Sequence, residues 1–133
     1  MIAGARFLHT MLHVADIERS IAFYTDVLGM RVLRRGDMPD EGRRNAFIGY
    51  GPEENTTVLE LTDYRGRSAY EAGDAFGHIA LGMDDVREAC RLIAAAGGQV
   101  TREPFTIASG KVIAFLADPD GYAIELVQPA PAG

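Results

Sequence analysis

The chain has 133 residues, 47% hydrophobic and 24% charged, with a net charge of −6, which suits one compact domain over 1–133 and excludes a sequence-independent grip on nucleic acid. No apolar run approaches the ~20 residues needed to cross a bilayer, and residues 1–6 lack the apolar core of a signal peptide, so no membrane partner is expected. The one cysteine, Cys90, allows no internal disulfide, which fits a reducing compartment and makes the cytoplasm the expected location.

In chain order, 7–14 is rich in β-compatible residues and reads as a first strand. Asp16 is placed to cap a helix, its carboxylate accepting from orphan N–H groups. Ile17, Ile21, Tyr24 and Leu28 then recur at helical spacing. Gly29 suits the helix exit, where a left-handed backbone is common. Strands are expected at 31–35, 46–50 and 57–62. A fifth strand follows at 77–82, then a helix over 85–96 with Gly97-Gly98 as its exit. Val86, Ala89, Cys90 and Ile93 form the apolar stripe of that helix, which makes Cys90 a core residue rather than a reactive thiol. Strands at 111–116 and 122–127 close the series, joined by Asp118-Pro119-Asp120-Gly121. In that turn proline presets one dihedral and glycine accepts the positive φ of a tight exit.

The second half repeats the first. Setting His9 on His78, an offset of 69, puts Asp16-Ile17 on Asp85-Val86 and Gly29 on Gly98. Val58-Leu59-Glu60-Leu61 matches Ala123-Ile124-Glu125-Leu126 at an offset of 65, the shift expected of a loop deletion. Four landmarks in the same order at similar separations mark an internal duplication. The pattern predicts an α+β fold of two like modules, about 5–63 and about 75–129, each with a strand, a helix and further strands.

Side chains alternate across a strand. His9 therefore shares a face with Met11 and His13, Glu60 with Val58 and Thr62, His78 with Ala80 and Gly82, and Glu125 with Ala123 and Val127. The opposite positions hold Leu8, Leu12, Leu59, Leu61, Ile79, Leu81, Ile124 and Leu126, the expected core face. A lone strand histidine or glutamate is ordinarily a packed or solvated residue. Here a His on the first strand and a Glu on the last recur in both copies, although glutamate is a poor strand former. His9, Glu60, His78 and Glu125 thus point to one metal site, in the concavity that two curved sheets would form. Two imidazoles and two carboxylates suit a borderline divalent cation such as nickel, cobalt, zinc, iron or manganese. A set without thiolates leaves positions open to water or substrate, unlike a closed structural zinc site. Both imidazoles must be neutral to bind, so activity is expected to fall in acid.

These residues also carry a family resemblance. The segments are Leu8-His9-Thr10-Met11-Leu12, Ser20-Ile21-Ala22-Phe23-Tyr24, Val27-Leu28-Gly29-Met30, Leu59-Glu60-Leu61-Thr62, Phe76-Gly77-His78-Ile79-Ala80 and Asp118-Pro119-Asp120-Gly121-Tyr122. Through them the chain resembles the lactoylglutathione lyases (glyoxalase I) of the vicinal oxygen chelate superfamily, from near the N-terminus to Val127. The resemblance implies two βαβββ modules whose half-barrel sheets are completed in a homodimer, His9 and Glu60 of one chain meeting the other chain's His78 and Glu125. It implies isomerisation of the hemithioacetal of methylglyoxal and glutathione to S-lactoylglutathione, with glutathione as cosubstrate. It also implies a short bacterial-type enzyme activated by nickel or cobalt rather than zinc. In such enzymes the metal-site glutamates move the proton, which makes Glu125 the first choice of base and Glu60 the second.

Two positions depart from the family pattern. Family members usually carry arginine where this chain has His13, and asparagine where it has Tyr64. His13 can donate a hydrogen bond, but it lacks the fixed charge and the bidentate fork of arginine. Tyr64 reads equally as a substrate contact or as an aromatic at a dimer rim. Arg65, Arg67 and Arg102 are candidate replacements for the missing charge, with Arg102 the best placed. Two other functions stay open: a related metal-dependent isomerase or epimerase using another thiol or acyl carrier, and a binding protein that sequesters a small molecule without chemistry. The full quartet counts against the second. Ring-cleaving dioxygenases and fosfomycin-modifying transferases use two His and one carboxylate, so Glu60 sets this chain apart from them.

Overall fold

A computed structural model describes residues 1–133, which divide into two compact units, Met1–Tyr70 and Glu71–Gly133. The first holds β1 (His9–His13), α1 (Ile17–Ala22), β2 (Arg31–Arg35), β3 (Arg43–Gly49) and β4 (Val58–Tyr64). The second holds β5 (Ile79–Gly82), α2 (Val86–Ala95), β6 (Gln99–Thr106), β7 (Val112–Ala117) and β8 (Ala123–Gln128). The sheet orders are β1-β4-β3-β2 and β5-β8-β7-β6. In each sheet the first strand lies parallel to the last and the remaining pairs are antiparallel. The fold is the α+β arrangement of two like modules expected from the duplicated landmarks, each with the βαβββ order that the family resemblance implies. No helix is long and apolar enough to cross a membrane.

Both helices start where the capping residues place them. The Asp16 carboxylate accepts from the amides of Glu18 and Arg19 at 3.1 and 3.3 Å, and the Asp85 carboxylate from that of Glu88 at 3.0 Å. The first helix ends differently from its periodicity. Only Ile17–Ala22 is α-helical, and Phe23–Val27 winds as a π turn in which the Leu28 amide reaches the Phe23 carbonyl at 3.2 Å. The wider turn keeps Phe23, Tyr24 and Leu28 all buried. The Thr25 hydroxyl also bonds back to the Ile21 carbonyl at 2.8 Å, which favours loosening that turn. Gly29 and Gly97 leave the helices at φ +77° and +83°.

Two strand expectations need correction. The first strands are shorter than their β-rich segments: β1 begins at His9 and β5 at Ile79, where their ladders with β4 and β8 begin. Neither histidine is mid-strand, and Leu8 is 56% exposed rather than part of the core. β6 was not expected at all. It carries Pro104 and two register shifts, between Val100 and Arg102 and between Arg102 and Phe105, which erase the period-two pattern. An edge strand tolerates both proline and bulges.

The remaining core positions behave as strand parity requires. Leu12, Leu59, Leu61, Leu81, Ile124 and Leu126 are buried, while Ile79 is half-buried. α1 packs on β3 and β4, and α2 on β6, β7 and β8. Cys90 is buried on α2. Burial pushes its thiol pKa up, and the Glu103 carboxylate adds to the shift.

Asp63 ties the first helix to its sheet. It is 4% exposed, and its Oδ2 accepts from the Ile17 amide at 2.9 Å. Arg44 forks onto both carboxylate oxygens at 3.0 and 2.6 Å. Hydrogen bonds to a buried charge contribute about 1.5–3 kcal/mol each, while solvent around Arg44 weakens the ionic part. Asp63→Ala is expected to destabilise the protein by about 2–3 kcal/mol in urea unfolding. A loss under about 0.5 kcal/mol, the range of an ordinary surface change, would remove Asp63 from this role.

Candidate metal centre

The structure brings the four candidate ligands together as two pairs, one in each unit. His9 Nε2 lies 3.2 Å from Glu60 Oε1, and His78 Nε2 lies 3.9 Å from Glu125 Oε2. The same register produces both pairs. Glu60 stands opposite Met11 and Glu125 opposite Ala80, so each histidine is two residues upstream of the position facing its glutamate. Nowhere do three or more His, Cys, Asp or Glu side chains gather.

Each pair rests on a phenylalanine. Phe47 is the β3 partner of Glu60, and Phe115 is the β7 partner of Glu125. The His9 ring meets Phe47 edge-on at 5.3 Å, and the His78 ring meets Phe115 the same way at 5.4 Å, a geometry that orients each imidazole. One strand further out, Arg34 faces Phe47 and Arg102 faces Phe115. The Arg34 guanidinium lies 3.6 Å over the Phe47 ring, whereas Arg102 turns instead onto Phe105 at 3.8 Å. Phe47, Phe115 and Arg34 were absent from the sequence reading. The signal for them was present: Phe47 to Phe115 and Arg34 to Arg102 are both offsets of 68.

The two halves differ in what holds the glutamate. Glu60 Oε2 accepts from the Asn45 amide at 3.0 Å and from the Thr62 hydroxyl at 3.1 Å. Asn45 and Thr62 are cross-strand partners. The corresponding pair beside Glu125 is Ile113 and Val127, whose side chains offer no hydrogen bond. Asn45 in turn needs Gly36, since a Cβ there would collide with Asn45 Oδ1. Nothing in the local sequence pattern marks Asn45 as a partner of Glu60.

The donor set fits a divalent cation. Nitrogen and oxygen ligands about 2.1 Å from one ion and at right angles stand about 3 Å apart, close to the His9–Glu60 spacing of 3.2 Å. The His78–Glu125 pair, at 3.9 Å, reaches the same bite by small side-chain rotations. Both carboxylates are half-buried and both imidazoles exposed, so each pair has solvent access for an incoming ion.

The substrate-binding candidates fall in different places. His13 and Tyr64 meet edge-on at 5.7 Å, and His13 also stacks on Tyr70 at 5.1 Å with 17° between the rings. Arg67 lies 4.6 Å over that Tyr70 ring, and Arg65 donates to the Pro39 carbonyl at 3.1 Å. Arg102 is on β6 in the other unit, exposed.

Residues 6–126 match the model of the Glyoxalase/Bleomycin resistance protein/Dioxygenase superfamily. The chain is 52% identical over 129 residues to the lactoylglutathione lyase of Salmonella typhimurium, with 96% of each chain covered. Among solved structures it is similar to glyoxalase I from Zea mays, with a TM-score of 0.90 and 45% identity over 96% of this chain; it spans 46%, about half, of the maize chain. It is also similar to the Leishmania major glyoxalase I, described as trypanothione-dependent, with a TM-score of 0.85 and 45% identity over 94% of this chain and 87% of that one. Sequence identity along almost the whole chain and a shared backbone agree: the chain belongs to the lactoylglutathione lyase, or glyoxalase I, family of that superfamily.

Proposed function

We propose that the chain is a metal-dependent lactoylglutathione lyase, which removes methylglyoxal by isomerising its glutathione hemithioacetal to S-lactoylglutathione. The observation that carries this reading is the His–Glu pair repeated in one register, in a chain 52% identical to a lactoylglutathione lyase. His9, Glu60, His78 and Glu125 are the ligands, with nickel or cobalt ahead of zinc. A divalent cation held there supplies Lewis acidity to adjacent substrate oxygens.

The remaining chemistry is proton movement. The hydrogen on the carbon bonded to sulfur leaves as a proton, the neighbouring carbonyl carbon gains one, and the hydroxyl proton passes between the two oxygens. The isomer is then a thioester with a hydroxyl beside it. One carboxylate that first accepts and then returns the carbon-bound proton suffices. Glu125 takes that role, because its surroundings leave it free to turn toward substrate. Glu60, held by Asn45 and Thr62, is a fixed ligand. A homodimer completes the site, His9 and Glu60 of one protomer meeting the partner's His78 and Glu125. Support for this comes from β1, an edge strand with Phe7, Leu8 and Met11 exposed beside His9. The buried, unpaired Cys90 suits the reducing cytoplasm.

A second reading keeps the chemistry and changes the thiol. It is favoured by the His13–Tyr64–Tyr70 cluster at positions where arginine and asparagine were expected, and by a trypanothione-dependent relative. The test is thioester formation, followed by ultraviolet absorbance, from methylglyoxal with glutathione and with a panel of other thiols on metal-loaded protein. Turnover is expected with glutathione. Turnover with another thiol alone moves the assignment to that carrier, and no turnover with any thiol overturns the isomerase.

A further inference from the structure

The two halves set different side chains beside the same glutamate position. Asn45 and Thr62 face each other across β3 and β4, and Ile113 and Val127 face each other at the corresponding step of β7 and β8. Asn45 is 8% exposed and Thr62 1%, an enclosure in which an apolar pair is the ordinary content. The polar pair carries a cost that the apolar pair avoids. Asn45 Oδ1 is buried with no hydrogen-bond partner, which is unfavourable. Turning the amide over gives no relief, because Oδ1 would then face the Glu60 carboxylate and set acceptor against acceptor. Gly36 makes room for this oxygen, since a Cβ there would collide with it.

What the asparagine achieves lies on the carboxylate. Glu60 Oε2 accepts from Asn45 Nδ2 at 3.0 Å and from Thr62 Oγ1 at 3.1 Å. A carboxylate oxygen offers about two lone-pair sites, so these two donors fill Oε2. Oε1 is the oxygen left over, and it stands 3.2 Å from His9 Nε2. Glu125 approaches His78 only to 3.9 Å, and the side chains of Ile113 and Val127 can engage neither of its oxygens. One glutamate thus has a single oxygen to offer, while the other has two.

We propose that Asn45 is a positioning residue: with Thr62 it limits Glu60 to metal binding through Oε1, and by filling Oε2 it keeps Glu60 out of the proton transfer assigned to Glu125. The inference rests on the isomerase reading above. The division of labour between the two glutamates is then set by a residue that acts only through Glu60. The orphaned Oδ1 is the stability penalty of that arrangement, and it accounts for a buried asparagine where the other half has isoleucine.

Competition with a chromophoric chelator reads nickel affinity without turnover, and thermal unfolding of the metal-free protein reads stability. The variants are Asn45→Ile, which copies the other half, and Thr62→Val. Each is expected to bind nickel about tenfold more weakly, the lower end of the effect of removing a group that orients a metal ligand. The metal-free Tm of Asn45→Ile is expected to hold within about 4 °C or to rise, because the orphaned acceptor leaves with the side chain. A purely structural asparagine predicts the reverse, a lower Tm with nickel affinity kept. That reverse pattern, or nickel affinity within about twofold of wild type in both variants, overturns the proposal. The proton-transfer part is read in the Glu125→Gln background at saturating nickel. Adding Asn45→Ile there is expected to raise kcat about threefold or more, as Glu60 Oε2 becomes free to accept the proton. A kcat no higher than that of Glu125→Gln alone overturns that part. If Asn45→Ile fails to fold, Thr62→Val takes its place in both measurements. If wild type does not turn over the hemithioacetal, the isomerase reading falls, and the nickel affinities still decide whether Asn45 positions a metal ligand.

Discussion

Glu125→Gln is expected to lower kcat by roughly 10²–10⁴-fold, the contribution of a positioned general base, while the protein keeps most of its metal. Glutamine preserves the size of the side chain and one oxygen donor, but it cannot take up the carbon-bound proton. The matched change Glu60→Gln is expected to act differently. There the Asn45 amide and the Thr62 hydroxyl already engage one oxygen. The amide oxygen of glutamine would satisfy them and turn its NH₂ toward His9, costing a ligand. Metal affinity should fall more than kcat at metal saturation. Metal content by mass spectrometry and single-turnover rates at saturating metal separate the two effects. Near-normal rates in Glu125→Gln would refute its role as base, and equal rate losses at saturating metal would refute the asymmetry.

Stripping the metal is expected to take turnover to the uncatalysed rate, with nickel and cobalt restoring more than zinc. The loss follows from the chemistry, since no cationic side chain lies within the His–Glu pairs to replace a Lewis acid. Metal binding requires both imidazoles to be deprotonated, so the restored activity should decline as the medium is acidified and metal is released. A chelated protein that retains full activity would exclude the metal from the reaction. The shared site adds a sharper test. Neither His9→Ala nor His78→Ala is expected to be active alone, yet each mixed dimer would contain one intact site. Recovery of activity on mixing supports sites between protomers, and its absence in verified mixed dimers puts each quartet within one chain.

Much of this protein was legible before its structure, and particular residues show why. The capping aspartates Asp16 and Asp85 act within three residues of chain, so composition alone locates both helix starts. The π turn at Phe23–Val27 was hidden, because helical spacing up to Leu28 is equally served by a regular or a widened last turn. β6 was hidden because its bulges and Pro104 remove the alternation by which strands are found. Leu8 was misjudged because strand parity assigns a face but not the end of a ladder.

The sequence by itself determined the duplication, the order of strand, helix and further strands in each half, the helix boundaries at their N-termini and the recurrence of a His and a Glu in each half. Those are properties of local periodicity and of a repeat, and both can be read along one chain. Only the tertiary structure decided which side chains support each pair. Asn45 reaches Glu60 across 15 residues and Asp63 reaches Ile17 across 46. Such contacts depend on cross-strand register, which every residue of a sheet sets together and no short segment contains. The same register separates a clamped Glu60 from an unclamped Glu125.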